Sequence, residues 1–380
     1  MTPAATIIGS LVVFFTIVVM IVIFPAIEYR LRVQPSDIFR PRTAQMNRGR
    51  AIYIENGCQY CHSQYVRPQD GDYGQDRVAQ AGDYFEDQPP LLGSERQGPD
   101  LSREGGLRSD GWHWAHFTNP RHTRPDSIMP PFHWLSVPDM EDLTAYVQGL
   151  GGTDADARVA QQHRWRDAAW EAYEAGPTAN TEWLHAHVPS EWMEMANPYV
   201  ADARSMDRGH FVYQHFCIGC HGPVGDGRGP GGLDILRRNE MLIAEPASGE
   251  YDFAPEAPPY NFTYLSSWDG PIGGMIYYQV MNGITGTSMP AFKTELESDM
   301  IWAVANYLAV NFVGRYGAGQ SESEVFRGQL PRTIPPSSEP HLFTQTAPMP
   351  LPEVLAGASS AERRRAGPAG VPAPGGGDGR

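Results

Sequence analysis

The chain has 380 residues, enough for two domains of about 100 to 150 residues with connecting segments, and its 41% hydrophobic and 11% aromatic content allows real cores, which excludes wholesale disorder. Its 40 Gly and 34 Pro nevertheless imply much loop and turn. The formal net charge is −15, and among 29 basic residues Lys293 is the single lysine, so the chain is rich in fixed guanidinium groups yet too acidic to expect nucleic acid as a partner. The acidic surplus runs through 44–313, which favours solubility and the steering of basic partners over short range.

No charged side chain occurs before Glu28, and the run from Ala4 to Ile27 is almost wholly apolar. At 1.5 Å per residue that run spans about 36 Å, enough to cross a hydrocarbon core of about 30 Å. A cleaved signal peptide is the competing reading. Its apolar core would be about 7 to 15 residues and would end at a small-x-small site. This run is longer and exits through Phe24, Pro25, Ala26 and Ile27. One uncleaved membrane anchor, 1–43 with its stalk, is therefore expected. Arg30, Arg32, Arg40 and Arg42 follow it, and the positive-inside tendency alone would put that end in the cytoplasm.

The four cysteines argue for the opposite orientation. They form Cys58-Gln59-Tyr60-Cys61-His62 and Cys217-Ile218-Gly219-Cys220-His221, with none left over. C-x-x-C-H is the attachment signature of haem c: two thiols add to the haem vinyl groups and the adjacent histidine ligates the iron. A thioredoxin-like pair or half of a zinc site are the alternatives, but neither explains a histidine directly after both second cysteines. Two covalently attached haem c groups are expected. Since haem c is attached outside the cytoplasm, the body should be periplasmic, at a bacterial inner membrane, with Met1 on the cytoplasmic side.

An iron that only transfers electrons needs a sixth ligand in both oxidation states, and methionine meets that need. Ser127-Ile128-Met129-Pro130 and Ser288-Met289-Pro290 repeat a Met-Pro context, 67 residues after His62 and 68 after His221. Met129 and Met289 are thus the expected axial partners of His62 and His221. Core packing is the bland alternative for a methionine. His113, His116, His122 and His133 are rivals at the first site.

The repeat is wider than the motifs. Arg48-Gly49 with Tyr53 and Arg208-Gly209 with Tyr213 lead into the two haem motifs as helices would. Beyond each methionine an acid-started helical pattern follows, 139–147 and 297–308, with Leu143, Tyr146 and Val147 against Val304, Tyr307 and Leu308 as buried faces. The expected organisation is a mainly α chain: a transmembrane anchor, a first haem domain at 44–150, a helical Trp-rich linker at 151–202, a second haem domain at 203–313, and a Pro/Gly-rich tail at 314–380, disordered or draped over a partner. The Gly-rich run 225–232 carries no Walker lysine, so phosphate binding is not expected of it.

Both halves resemble the class I cytochrome c fold. The stretch Cys58-Gln59-Tyr60-Cys61-His62-Ser63-Gln64-Tyr65-Val66-Arg67-Pro68, with Gly98-Pro99-Asp100-Leu101, Trp112-His113-Trp114-Ala115-His116-Phe117 and Met129-Pro130, resembles the membrane-anchored cytochrome c subunit (CcoO or FixO) of cbb3-type haem–copper oxidases over roughly 1–150. That resemblance implies haem attachment at Cys58 and Cys61, axial His62 and Met129, and delivery of electrons from a soluble or membrane cytochrome c, or another periplasmic donor, to a haem–copper catalytic subunit among other membrane subunits. Arg67 and His116 are then candidate propionate or partner contacts. The second domain, with Cys217, Cys220, His221 and Met289, departs from the one-haem pattern of that family and looks like a generic small cytochrome c. The implied role is electron transfer with no catalytic residues of its own. The alternatives are the same role in a nitric oxide reductase or other membrane reductase, and a dihaem peroxidase, which would need an open iron position.

Overall fold

The computed structural model describes residues 2–64, 79–91, 93, 96–264 and 272–313, and all regular structure among them is helical. Helix α1 (Pro3–Arg32) is 30 residues long and apolar enough to cross a membrane. Its apolar stretch stands exposed, Met20 and Ile21 at 63% and 68%, a display of apolar surface that lipid accommodates and water does not, while Arg30 at its end reaches Gln88 at 2.7 Å. Its few hydroxyls are satisfied within the helix, Ser10 donating to the Thr6 carbonyl at 2.9 Å and Thr16 to Val12 at 2.8 Å. Pro25 lacks an N–H, and the ladder ahead of it widens to a π turn over Val18–Ile23.

The first haem-motif segment follows α2 (Ala44–Glu55), capped by Thr43, and is the short α3 (Cys58–Cys61). Gly57 between them adopts φ 72°, a left-handed turn that a side chain would strain. The chain continues through α4 (Asp110–Thr118) to α5 (Val137–Gln148), whose N-cap Ser136 accepts from the Asp139 N–H. Helices α2 and α5 cross at Gly49, where a Cβ would lie 1.8 Å from the Asp142 carbonyl oxygen. The crossing is closed by a two-pronged Arg48–Asp142 pair at 2.6 and 2.9 Å and by the Tyr53 and Tyr146 rings, edge-on at 5.3 Å. The expected face is in place, with Leu143, Tyr146 and Val147 each 2% exposed or less.

After α6 (Gly152–Glu174), α7 (Pro177–Ala186) and α8 (Ser190–Met193), the second half repeats the plan. Helix α9 (Ala203–Val212) runs through a π turn at Tyr213–Cys217 into α10 (Ile218–His221), followed by α11 (Pro230–Ala244), α12 (Ile272–Asn282) and α13 (Ser298–Asn311). Gly209 is the crossing point of α9 and α13, its missing Cβ leaving room for the Ala303 carbonyl 2.3 Å away. Arg208 pairs with Asp299 at 2.5 Å and the Tyr213 ring meets Tyr307 at 5.5 Å. One hydrogen bond nearly repeats: Tyr53 donates to the carbonyl of the motif histidine, His62, at 2.6 Å, and Tyr213 to the carbonyl of Gly222, the residue after the motif histidine, at 2.5 Å.

The two halves are packed together, α4 against α11. Helix α6 splints them: Arg158 donates to the Gly105 and Arg103 carbonyls at 2.8 and 3.0 Å, while Arg166, 4% exposed, donates to Asp252 at 2.8 and 3.0 Å. The 151–202 segment carries α6, α7 and α8 and is bonded to both sides; Trp192, one of its tryptophans, stacks on Tyr277 at 5.3 Å. Arg67 and the tail from 314 lie outside the described residues.

Candidate haem sites

A cleft of about 100 Å³, partly open to solvent, lies in the second half, with Trp112 and Thr123 of the first half on its border. Cys217, Cys220, His221 and Met289 all line it, so residues from the two ends of that half converge on one space. The rest of the wall is mainly apolar, including Phe216, Met275, Val280, Phe292 and Leu308. The His221 ring, stacked at 4.3 Å on Phe262, turns Nδ1 to the Tyr260 carbonyl at 3.1 Å. A carbonyl can only accept, so Nδ1 carries the proton and Nε2 keeps its lone pair. Burial reinforces this by pushing the imidazole down to about 4, which keeps it neutral at physiological pH.

The first half reproduces the arrangement. His62 turns Nδ1 to the Pro99 carbonyl at 2.9 Å, and its pKa too is lowered by burial. Gly98 is needed beside it, because a Cβ there would come within 2.3 Å of the ring. Cys58 and Met129 pack on the same apolar cluster, built from Tyr53, Trp114, Phe117, Leu143 and Tyr146 among others. The methionine loops also match: the Met129 N–H donates to Ser127 Oγ and the Met289 N–H to Thr287 Oγ1, each at 3.2 Å.

Burial pushes Cys58, Cys217 and Cys220 up to about 12, which disfavours the thiolate that thioredoxin-like exchange works through. Among the described residues no group of three His, Cys, Asp or Glu is placed to hold a metal ion by itself. The rival histidines are engaged elsewhere. His113 stacks on Phe117 at 5.8 Å and faces Glu104 at 3.6 Å; His116 shares a hydrogen bond with Thr123 at 2.7 Å; His122 Nδ1 meets Asp234 at 2.5 Å. His133 sits beside Trp134, ring to ring at 5.6 Å. In the second half, a mainly apolar wall that carries an imidazole with a free Nε2, paired thiols and a thioether fits haem c.

Sequence reasoning did not find the polar layer between the halves. Asp110, Gln148, His163, Tyr251 and Glu256 gather there around a small void of about 10 Å³. Glu256, 1% exposed, accepts from the Gly111 N–H at 2.7 Å and from Ser288 at 2.9 Å, and Arg238 lies 3.5 Å away. The available signal was the Ser288-Met289 junction, where a hydroxyl precedes the expected ligand.

Residues 2–169 match the family described as cytochrome c oxidase mono-haem subunit/FixO, and residues 204–308 match cytochrome c oxidase, cbb3-type, subunit III. No curated protein matches the chain. Among solved structures, a chain of the Kuenenia stuttgartiensis reducing HAO-like protein complex is 18% identical, covering 73% of this chain and all of that one, with a TM-score of 0.24. At that TM-score the likeness bears on neither fold nor function.

Proposed function

We propose that this chain, which joins a FixO-type domain to a second, cbb3-type cytochrome c domain, is the dihaem electron-transfer subunit of a membrane haem–copper oxidase. It stands between a periplasmic electron donor and an oxygen-reducing catalytic subunit, with the second site nearer the donor. Helix α1 anchors it in the inner membrane and the helical body faces the periplasm. Cys58 and Cys61 attach one haem c and Cys217 and Cys220 another; His62 with Met129 and His221 with Met289 are the axial pairs. A haem c so ligated supplies a one-electron couple with no open position for a substrate.

The protein's own work is orientation and insulation. The Pro99 and Tyr260 carbonyls fix the tautomer and pose of His62 and His221, as outer partners do for metal-ligating histidines generally. Ser127 and Thr287 shape the methionine loops. The apolar clusters around both sites exclude water, and a drier, lower-dielectric surround together with a thioether ligand raises the reduction potential. The observation that carries the reading is the convergence of Cys217, Cys220, His221 and Met289 on one apolar cleft, with Cys58 and Met129 of the first half packed on one apolar cluster. The test is a haem count on purified full-length chain. Two haem c per chain are expected, and one in each of the double variants Cys58→Ser/Cys61→Ser and Cys217→Ser/Cys220→Ser. A single haem in the unaltered chain would overturn the proposal.

A further inference from the structure

We infer that the first domain builds part of the second haem site: Trp112 on α4 is a wall of that site, held in register with Met289 by a hydrogen-bonded chain through Ser109, Ser288 and Glu256. The inference rests on the two-haem reading above and goes beyond it. Trp112, 7% exposed, borders the same cleft as Cys217, Cys220, His221 and Met289, and so does Thr123, also from the first half. The indole is fixed from its own side by the stacked His116 ring at 4.5 Å and the Arg108 guanidinium at 4.6 Å. Its backbone is fixed across the boundary. The Trp112 N–H donates to Ser109 Oγ at 3.2 Å, Ser109 to Ser288 Oγ at 3.0 Å, and Ser288 to the Glu256 carboxylate at 2.9 Å. Glu256 closes the loop by accepting from the Gly111 N–H at the start of α4, where a carboxylate is favoured. Ser288 is the residue before the axial methionine, so the position of α4 and that of the Met289 loop are set together.

The attachment motif itself is pressed against the first domain. A Cβ on Gly219 or on Gly231 would come within 2.4 or 2.5 Å of the His122 carbonyl oxygen, and the Cys220 thiol lies 3.9 Å from the same oxygen. The second site is therefore closed on this side by the first domain. Helix α4 serves both sites, since Trp114 and Phe117 belong to the core on which Cys58 and Met129 pack. Opening this wall admits water to the second site, which favours the oxidised, more highly charged iron.

The experiment is a spectroelectrochemical titration of the full-length chain in detergent, with the two potentials assigned by the Cys217→Ser/Cys220→Ser variant. Trp112→Leu is expected to shift the oxidised-to-reduced ratio of the second haem about tenfold toward oxidised at fixed ambient potential, about 59 mV for one electron. Trp112→Phe is expected to restore most of the shift, and the first haem to move less. Glu256→Gln, which leaves the indole in place, is expected to alter the His/Met optical and EPR signature of the second haem alone. If the second haem is present and all three variants leave its potential and spectrum unchanged, the wall is overturned while the two-haem reading stands. A titration that finds no second haem in the unaltered chain overturns both.

Discussion

The His221 Nδ1–H donates to the Tyr260 carbonyl and the His62 Nδ1–H to the Pro99 carbonyl, which leaves each imidazole one nitrogen, aimed by the other, for the proposed iron. Met289→Ala should remove the His/Met signature of the second haem and lower its potential, leaving the first haem's spectrum intact, by absorption and EPR of the purified chain. The same layer that holds Met289 offers a test of electrostatics. Burial would raise the Asp110 carboxyl, but His163 at 3.4 Å, the charge of Arg238 and the Gln148 amide at 2.7 Å outweigh it and hold it at about 2. That lies below the unfolded value of about 3.9, so the stability it contributes is complete above that pH and is lost as pH falls toward 2. Asp110→Asn should therefore lower the thermal midpoint at pH 7, with the difference from the unaltered chain shrinking below pH 4. The residues proposed as ligands stand out in the sequence alone, because covalent haem chemistry demands a rigid local spacing. Glu256, Ser109 and Trp112 do not, because the bonds that join them across the two halves, Ser109 to Ser288 and Gly111 to Glu256, link residues more than a hundred apart, and no local pattern announces a contact between domains.

Helices α5 and α13 were readable from their buried stripes and first-turn acids, and α2 and α9 from the repeated Arg-Gly and tyrosine ahead of each haem motif; that Gly49 and Gly209 are the crossing points is visible only in the structure. A Cβ at Gly49 would overlap the Asp142 carbonyl, and one at Gly209 the Ala303 carbonyl, so the helices must part. Gly49→Ala and Gly209→Ala should each cost about 1–3 kcal/mol, which calorimetry on the purified chain would register as a fall of several degrees in Tm. Unchanged midpoints would mean that the crossings are looser than described. Helices α4 and α11 were less legible. The first is nine residues of aromatic and histidine side chains without an amphipathic period, buried on nearly all sides between domains. The second begins in a glycine-rich run that reads as loop, and needs those glycines to meet the His122 backbone. The π turn at Tyr213–Cys217 was invisible for a different reason: it is a register shift in an otherwise continuous helix, and residue type does not mark it.

Across the whole molecule, the internal repeat gives two similar halves, but the splint of α6 and the polar layer make them one body rather than two beads on a string. Arg158→Ala together with Arg166→Ala removes both anchors of that splint, and limited proteolysis should then cut 151–202 faster while each haem stays attached. The anchor and the acidic body are both read directly from sequence, since length, apolarity and charge need no tertiary information. The acceptor is not, because it is another chain. The most direct test of the proposed role is therefore to purify the protein from its native membranes in mild detergent, identify the chains that accompany it, and measure oxygen and nitric oxide consumption with reduced cytochrome c as donor. Co-purification with a polytopic haem–copper subunit and oxygen uptake that fails in Met129→Ala is the predicted result; nitric oxide turnover without oxygen uptake, or isolation of this chain alone with peroxide turnover, would contradict it.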